Sequence, residues 1–349
     1  MNFAIMAGGT GGHIFPGIAV AKALQKKGHQ LFWLGAKGGM EERIVKQHGI
    51  KLTLLPIKPL RGKGILGMLT MPFRLIKGIW QARRFFKSNR IDAAISMGGY
   101  VAAPGGFATS LCQTKLIVHE QNSVFGMTNK SLAKHASLVM TGFDLGGQYG
   151  AKWVGNPVRD SIEKINKKSA RTTPLNVLVL GGSLGAQSLN KMIPNCLSAW
   201  IENAEIKIKH QCGRNKLRDT KAAYGQLAMQ VDIQEFIQNM AAAYQWADIC
   251  ICRAGALTIA EITSAGIPTI FVPYPHAVDD HQTHNAQSLV TKEAALMWQE
   301  SAEEEHFIRL FESLLNSSNR SKIQNSLMAV RKTNVSVHIA ELCEQVVAA

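Results

Sequence analysis

At 349 residues, 46% of them hydrophobic and 18% charged, the chain has the composition of a soluble globular protein long enough for two cores, and no apolar stretch is long enough to span a membrane. Its formal net charge of +15 lies in one half: residues 1–157 hold 20 Lys or Arg against 5 Asp or Glu, and residues 158–349 hold 19 of each. The asymmetry points to an anionic partner for the first half (nucleic acid, anionic lipid or a phosphorylated substrate), while six cysteines without a C-x-x-C spacing argue against a metal or disulfide framework.

Residues 3–24, FAIMAGGTGGHIFPGIAVAKAL, read as a strand, a glycine-rich turn and a helix on which Ile14, Ile18, Ala21 and Leu24 recur at helical spacing. Gly8, Gly9, Gly11 and Gly12 permit close backbone approach. The N–H groups of a helix N-terminus favour an anion there, with His13 in the first turn. A plain tight turn fits the same residues. The dinucleotide fingerprint does not: Ile14 occupies the third-glycine position counted from Gly9, and the second strand ends in Gly35 and Ala36, with no acid to hold an NAD ribose. Met1 and Asn2 run straight into the first strand, so a cytoplasmic protein is expected.

Apolar runs at 3–6, 31–34, 52–55, 93–97, 116–118 and 138–140, with helical patterns between several of them, predict a parallel sheet covered on both faces. The glycine-rich stretch 142–157 is the expected linker. The pattern then restarts with a strand at 176–180, a glycine turn at 181–185 and a helix at 186–197, and further strands follow at 205–210, 233–236, 249–252, 269–272 and 295–298. The expectation is an α/β protein of two doubly wound Rossmann-like domains, residues 1–156 and 157–333, facing each other across a cleft, with an amphipathic helix at 335–347. Cys250 and Cys252 alternate on one strand and read as packing.

Residues 58–90 combine nine Lys or Arg with many large apolar side chains, and Phe73, Ile76, Trp80 and Arg84 share one helical stripe. The stripe fits either a core-packing helix with a solvated basic face or a surface that dips apolar groups into an anionic membrane. Arginines interleaved with aromatics also suit RNA, but no nucleic-acid module accompanies them, and no nucleic-acid partner is expected.

The second half carries CRAGALTIAEITSAGIPTIFVPYPHAVDDHQTHNA at 252–286. Arg253 to Ala256 follow a strand and precede a helix at 257–265, opening a second set of N–H groups, and Glu261 stands about a turn into that helix. A carboxylate there can accept hydrogen bonds from a ribose diol, although a lone Glu also fits a solvated surface. His276, Asp279, Asp280, His281 and His284 match no closed zinc spacing, so no metal is expected. Gly181 to Gly185 satisfy G-x-S-x-G, the hydrolase elbow, yet any phosphate loop shares that context, and a complete α/β domain precedes Ser183.

GGTGGHIFP, SMGGYVAAPGG (96–106), HEQN (119–122), GNPVR (155–159), GGSLGA, CRAGALTIAE and DDHQTHNA occur in that order, and the chain thereby resembles the MurG family of N-acetylglucosaminyltransferases over nearly its whole length. The resemblance implies a GT-B fold and an inverting transfer of GlcNAc from UDP-GlcNAc to the C4 hydroxyl of undecaprenyl-diphospho-MurNAc-pentapeptide (lipid I). The products are lipid II and UDP, formed by a peripheral enzyme at the cytoplasmic face of the inner membrane, with no cofactor. It implies that Thr10, Gly11, Gly12 and Asn122 meet the sugar end of the donor. Arg159, Ser183, Ile237, Ala256, Leu257, Thr258, Ile259, Ala260, Glu261 and Gln282 make the remaining donor contacts. Ser183 and its helix would hold the diphosphate, the Ile237 backbone the uracil, Glu261 the ribose and Gln282 the sugar hydroxyls. His13 and Tyr100 match acceptor-side positions, His13 as the expected catalytic base, and the last helix, within 334–349, returns to the first domain. A UDP-GlcNAc 2-epimerase of the same fold and a non-catalytic membrane-binding scaffold are the alternatives. The basic apolar stretch at 58–90 speaks against the first and the intact loops at 181–185 and 253–261 against the second.

Overall fold

The computed structural model describes residues 1–57, 71–165, 173–182 and 184–349. The chain divides into two compact units, Met1–Val158 with Asn334–Ala349, and Arg159–Thr333, so the change of unit falls two residues beyond the expected boundary at 156.

In the first unit β1 (Asn2–Met6), β2 (Gln30–Ala36), β3 (Lys51–Leu55), β4 (Ala93–Ser96), β5 (Lys115–Glu120), β6 (Leu138–Thr141) and β7 (Lys152–Trp153) form one sheet in the order β3-β2-β1-β4-β5-β6-β7. All its pairs are parallel, with Ile5 opposite Trp33 on one side and Ile95 on the other. The strands are continuous apolar runs because both faces are covered. Phe3 and Ile5 join one buried cluster, and Ala4 and Met6 join the other. Helices α1 (Gly11–Lys26), α2 (Met40–Gln47), α3 (Met71–Ser88), α4 (Ala102–Thr109) and α5 (Met127–Ala133) lie between the strands.

β7 corrects the linker expectation. Lys152 and Trp153 pair with Met140 and Thr141 and extend the first sheet. The glycines around them supply the turn out of β6, with Gly146, Gly147 and Gly150 at positive φ, and a two-residue strand leaves no periodic signal.

The second unit repeats the plan. β8 (Leu175–Leu180), β9 (Ile206–Gln211), β10 (Asp232–Gln234), β11 (Ile249–Cys252), β12 (Thr269–Phe271) and β13 (Leu296–Met297) form a parallel sheet in the order β10-β9-β8-β11-β12-β13. Its helices are α6 (Asp160–Glu163), α7 (Gln187–Cys196), α8 (Ser198–Glu202), α9 (Leu217–Tyr224), α10 (Met240–Trp246), α11 (Ala256–Ala265), α12 (His281–Val290), α13 (Glu304–Leu315) and α14 (Ser317–Val330). β8 and β11 are buried throughout, and Cys250 and Cys252 are free thiols within that core.

The last helix, α15 (Val335–Ala348), belongs to the first unit. Val335, Ile339, Ala340, Leu342 and Cys343 enter the cluster that holds Phe3 and Ile5. Burying a side chain such as Ile339 contributes about 1.5–3 kcal/mol, and Glu344 adds contacts to Lys27 at 2.8 Å and His29 at 2.7 Å.

In α3 the buried side is Ala82 and Phe86, with Ile79 and Phe85 packed against the same cluster, and Gly78 faces Pro104. Phe73, Ile76 and Trp80 are 77%, 53% and 58% exposed, which excludes the core-packing reading of that stripe. The Arg83 guanidinium lies 5.2 Å from the Trp80 ring, and its Nε donates to the carbonyl of the exposed Leu111. Residues 58–70 of the basic stretch lie outside the described residues. No helix among the described residues is long and apolar enough to cross a membrane.

Candidate active site

In an open parallel sheet ligands gather at the carboxyl ends of the strands, where the strand order reverses. In the first unit that point lies between β1 and β4. The loop after β1 carries Gly9 and Thr10, and the Thr10 carbonyl accepts from His13 N and Ile14 N at 3.2 Å to start α1. Thr10 Oγ1 is 3.2 Å from His13 Nδ1. The ring lies against the turn after β4: a Cβ on Gly98, at φ +91°, would fall 3.2 Å from it, so this turn needs a residue without a side chain. Tyr100 flanks Gly9 from the same turn, and burial, then the Glu41 charge, pushes its phenol above the ordinary value.

Beneath this surface runs a buried polar chain. Asn122 donates to Glu120 Oε1 from its backbone at 3.0 Å and its side chain at 3.2 Å. The other Glu120 oxygen accepts from Gly126 N and from Asn129 Nδ2. Asn129 Oδ1 accepts from Ser96 Oγ at 2.8 Å, and Ser96 Oγ accepts from Gly98 N at 3.3 Å, beside the His13 ring. The structure thus brings Thr10, Gly11, Gly12, His13, Tyr100 and Asn122 to the ends of three adjacent strands. Glu120, Asn129 and Ser96 tie Asn122 to the Gly98 turn; Ser96 and Glu120 stand in quoted motifs with no role assigned from the sequence, and Asn129 stands in none. His119 is fully buried, its Nε2 3.0 Å from the Gly155 carbonyl, and desolvation lowers its pKa to about 4.

The first loop also differs from a plain phosphate cradle. Glu41, fully buried at the start of α2, accepts from Ala36 N at 2.8 Å and from Gly9 N at 3.3 Å. An N–H of this loop is already met by the protein's own carboxylate.

In the second unit the order reverses between β8 and β11. Arg159 donates from Nε at 3.0 Å and from Nη2 at 2.7 Å to Glu261 Oε1, and the Tyr244 hydroxyl donates to Oε2 at 3.1 Å. Burial raises the Glu261 pKa, and Arg159 and Tyr244 oppose that shift. Glu261 is therefore a gripped carboxylate, its side chain 15% exposed, rather than a solvated surface residue. Ala256, Leu257, Thr258, Ile259 and Ala260 form the first turns of α11 after the N-cap Gly255. Ile237 is buried in the loop after β10, with Phe236 exposed beside it. Gln282, in the first turn of α12, accepts from Tyr274 N at 3.0 Å.

Ser183 lies outside the described residues. Around it, Gly182 and Gly185 have positive φ, and a Cβ on Gly185 would collide with the Cys212 carbonyl, so the loop packs backbone to backbone against the end of β9. Arg253, at the end of β11, braces the neighbouring loops: it donates to the Val272 and Pro273 carbonyls at 3.1 Å and to Ser188 Oγ at 2.9 Å, pairs with Glu300 and lies over the Tyr274 ring. Among the described residues no group of three or more His, Cys, Asp or Glu side chains could hold a metal ion.

Residues 3–141 match the glycosyltransferase family 28 N-terminal domain and residues 176–342 the family 28 C-terminal domain. A protein of Neisseria meningitidis is 47% identical over 300 residues, covering 85% of this chain and 84% of its own length. One of Dechloromonas aromatica is 41% identical over 346 residues, covering 98% of each. Both are named UDP-N-acetylglucosamine–N-acetylmuramyl-(pentapeptide) pyrophosphoryl-undecaprenol N-acetylglucosamine transferase. The crystal structure of Acinetobacter baumannii MurG covers 99% of this chain and 99% of its own, with a TM-score of 0.83 and 36% identity.

Proposed function

The chain belongs to the MurG family of glycosyltransferases, and from that premise we propose how its residues share the work of the transfer. It moves GlcNAc from UDP-GlcNAc to lipid I, giving lipid II and UDP, and the 2-epimerase alternative is not favoured. The first unit takes the acceptor and the second holds the donor.

In this reading the C4 hydroxyl of the acceptor attacks the anomeric carbon, the bond to the β-phosphate oxygen breaks with inversion, and UDP leaves. His13 accepts the hydroxyl proton: with Nδ1–H donating to Thr10 Oγ1, Nε2 carries the lone pair. Tyr100 borders the acceptor. Thr10, Gly11, Gly12 and Asn122 meet the transferred sugar. The ribose diol donates to Glu261, the Ile237 backbone meets the uracil, and Gln282, its carbonyl held by Tyr274 N–H, offers its amide to the sugar. Charge developing on the leaving diphosphate is met by Arg159, Ser183 and the N-termini of α7 and α11.

The exposed Phe73, Ile76 and Trp80 beside Lys77, Arg83, Arg84 and Lys87 support a peripheral attachment to an anionic membrane surface, which in this reading is the cytoplasmic face of the inner membrane. The observation that carries the proposal is that the motif residues fall into two sets, each at the strand ends of its own sheet. Incubating the protein with UDP-GlcNAc and a short-chain lipid I analogue tests it. UDP release that requires the acceptor is expected. Consumption of UDP-GlcNAc without acceptor would return the epimerase, and no turnover would return the scaffold.

A further inference from the structure

Tyr244 has no part in the roles assigned above. It lies in α10, is 1% exposed, and is among the largest fully buried side chains of the chain. An apolar helix such as MAAAYQW has no packing need for a phenol, and a buried hydroxyl without a partner is costly. Here it has one: it donates to Glu261 Oε2 at 3.1 Å, while Arg159 donates twice to Oε1. Arg159 thereby fills both lone-pair sites of Oε1, while Oε2 keeps one site beside the phenol, so a ribose diol takes Oε2 directly and Oε1 as Arg159 yields one of its two bonds. Arg159, 47% exposed, can move, whereas Tyr244 is fixed by the core around it.

We propose that Tyr244 is a positioning residue for donor recognition, its hydroxyl fixing the rotamer of Glu261 so that the carboxylate is preformed to accept the two ribose hydroxyls of a uridine diphosphate. The proposal rests on the reading of Glu261 as the ribose ligand. Without this hydroxyl Glu261 keeps its Arg159 partner and loses its fixed orientation, which the donor must then restore on binding.

The test is a double-mutant cycle with Tyr244→Phe and Glu261→Gln, because Phe keeps the buried ring and removes one oxygen. Tyr244→Phe is expected to raise KM for UDP-GlcNAc and Kd for UDP by about fivefold, the equivalent of one ordinary hydrogen bond, with kcat and the lipid I KM unchanged. In the Glu261→Gln background the same change is expected to add little. With a donor analogue whose uridine is replaced by 2′-deoxyuridine, the Tyr244→Phe penalty is expected to shrink. An unchanged donor KM in Tyr244→Phe, or full additivity with Glu261→Gln, overturns the positioning role while Glu261→Gln alone still weakens the donor. If Glu261→Gln itself leaves donor affinity unchanged, the ribose reading falls and the role of Tyr244 with it. A fall in kcat and in affinity for both substrates alike would mark Tyr244 as a general structural residue and reject the proposal.

Discussion

Glu41 in the first unit and Glu261 in the second are both carboxylates beside a strand-end loop, and their partners differ in kind. Glu41 is sealed from solvent and accepts two backbone N–H bonds at the start of a helix, where the dipole also favours it. Glu261 is met by side chains, a half-exposed guanidinium and a buried phenol, and keeps an exposed edge. The first arrangement fixes a loop. The second leaves acceptor capacity toward the surface, as a hydroxyl-rich ligand needs.

The division of acceptor and donor work proposed for the two units can be broken first at His13. His13→Ala should lower kcat by about 10²–10⁴, the contribution of a general base, in a steady-state assay with saturating lipid I analogue. Near-normal turnover with a raised acceptor KM would make His13 a binding residue. Next in size is the basic surface of the first unit. Replacing Lys77, Arg83, Arg84 and Lys87 together by Gln should weaken sedimentation with anionic vesicles by up to about 1 kcal/mol per residue at low salt, and less as salt screens the charge. Unchanged vesicle binding would remove α3 from the membrane surface.

Glu41→Ala removes the carboxylate that fixes the first loop. It strips a partner from Gly9 N and Ala36 N and should cost about 1–3 kcal/mol of stability, read by chemical denaturation. UDP affinity should be left alone; a loss matching that of Glu261→Ala would erase the distinction between the two carboxylates. A further effect is one the units share. His119 and His210 are held neutral by burial, with pKa values lowered to about 4 and about 3, while in the unfolded chain each titrates near its ordinary 6.5. The unfolded state therefore binds more protons below about pH 6.5, and each histidine should cost up to about 1.4 kcal/mol of stability per pH unit from there down toward pH 4. Denaturation midpoints at about pH 7.5 and about pH 5 check the sign, and a protein more stable at the lower pH would contradict it.

The sheets were legible because parallel strands buried on both faces leave unbroken apolar runs: FAIM, LNVLVL and ICIC could be little else. β7 was not, since Lys152 and Trp153 are too few for any period and their glycine surroundings resemble a linker. His13 and Glu261 drew notice because each stands within about a turn or two of a glycine loop that opens a helix, and Asn122 through the HEQN motif of the family resemblance. The residues that hold them were invisible for a different reason. Glu41 sits in a charged MEER stretch that looks solvated, Tyr244 in a helix that looks like plain core, and Ser96 and Asn129 are ordinary polar residues 33 positions apart until β4 and β5 pair. Positioning groups act through tertiary contacts, which carry no local spacing.

Calorimetric titration of UDP into the wild type, His13→Ala and Glu261→Ala tests the division of labour most directly. His13→Ala is expected to bind UDP as the wild type does, and Glu261→Ala to lose about 1.5–3 kcal/mol of binding free energy, the range for a hydrogen bond to a charged group. An unchanged dissociation constant in Glu261→Ala, or an equal loss in His13→Ala, would contradict it.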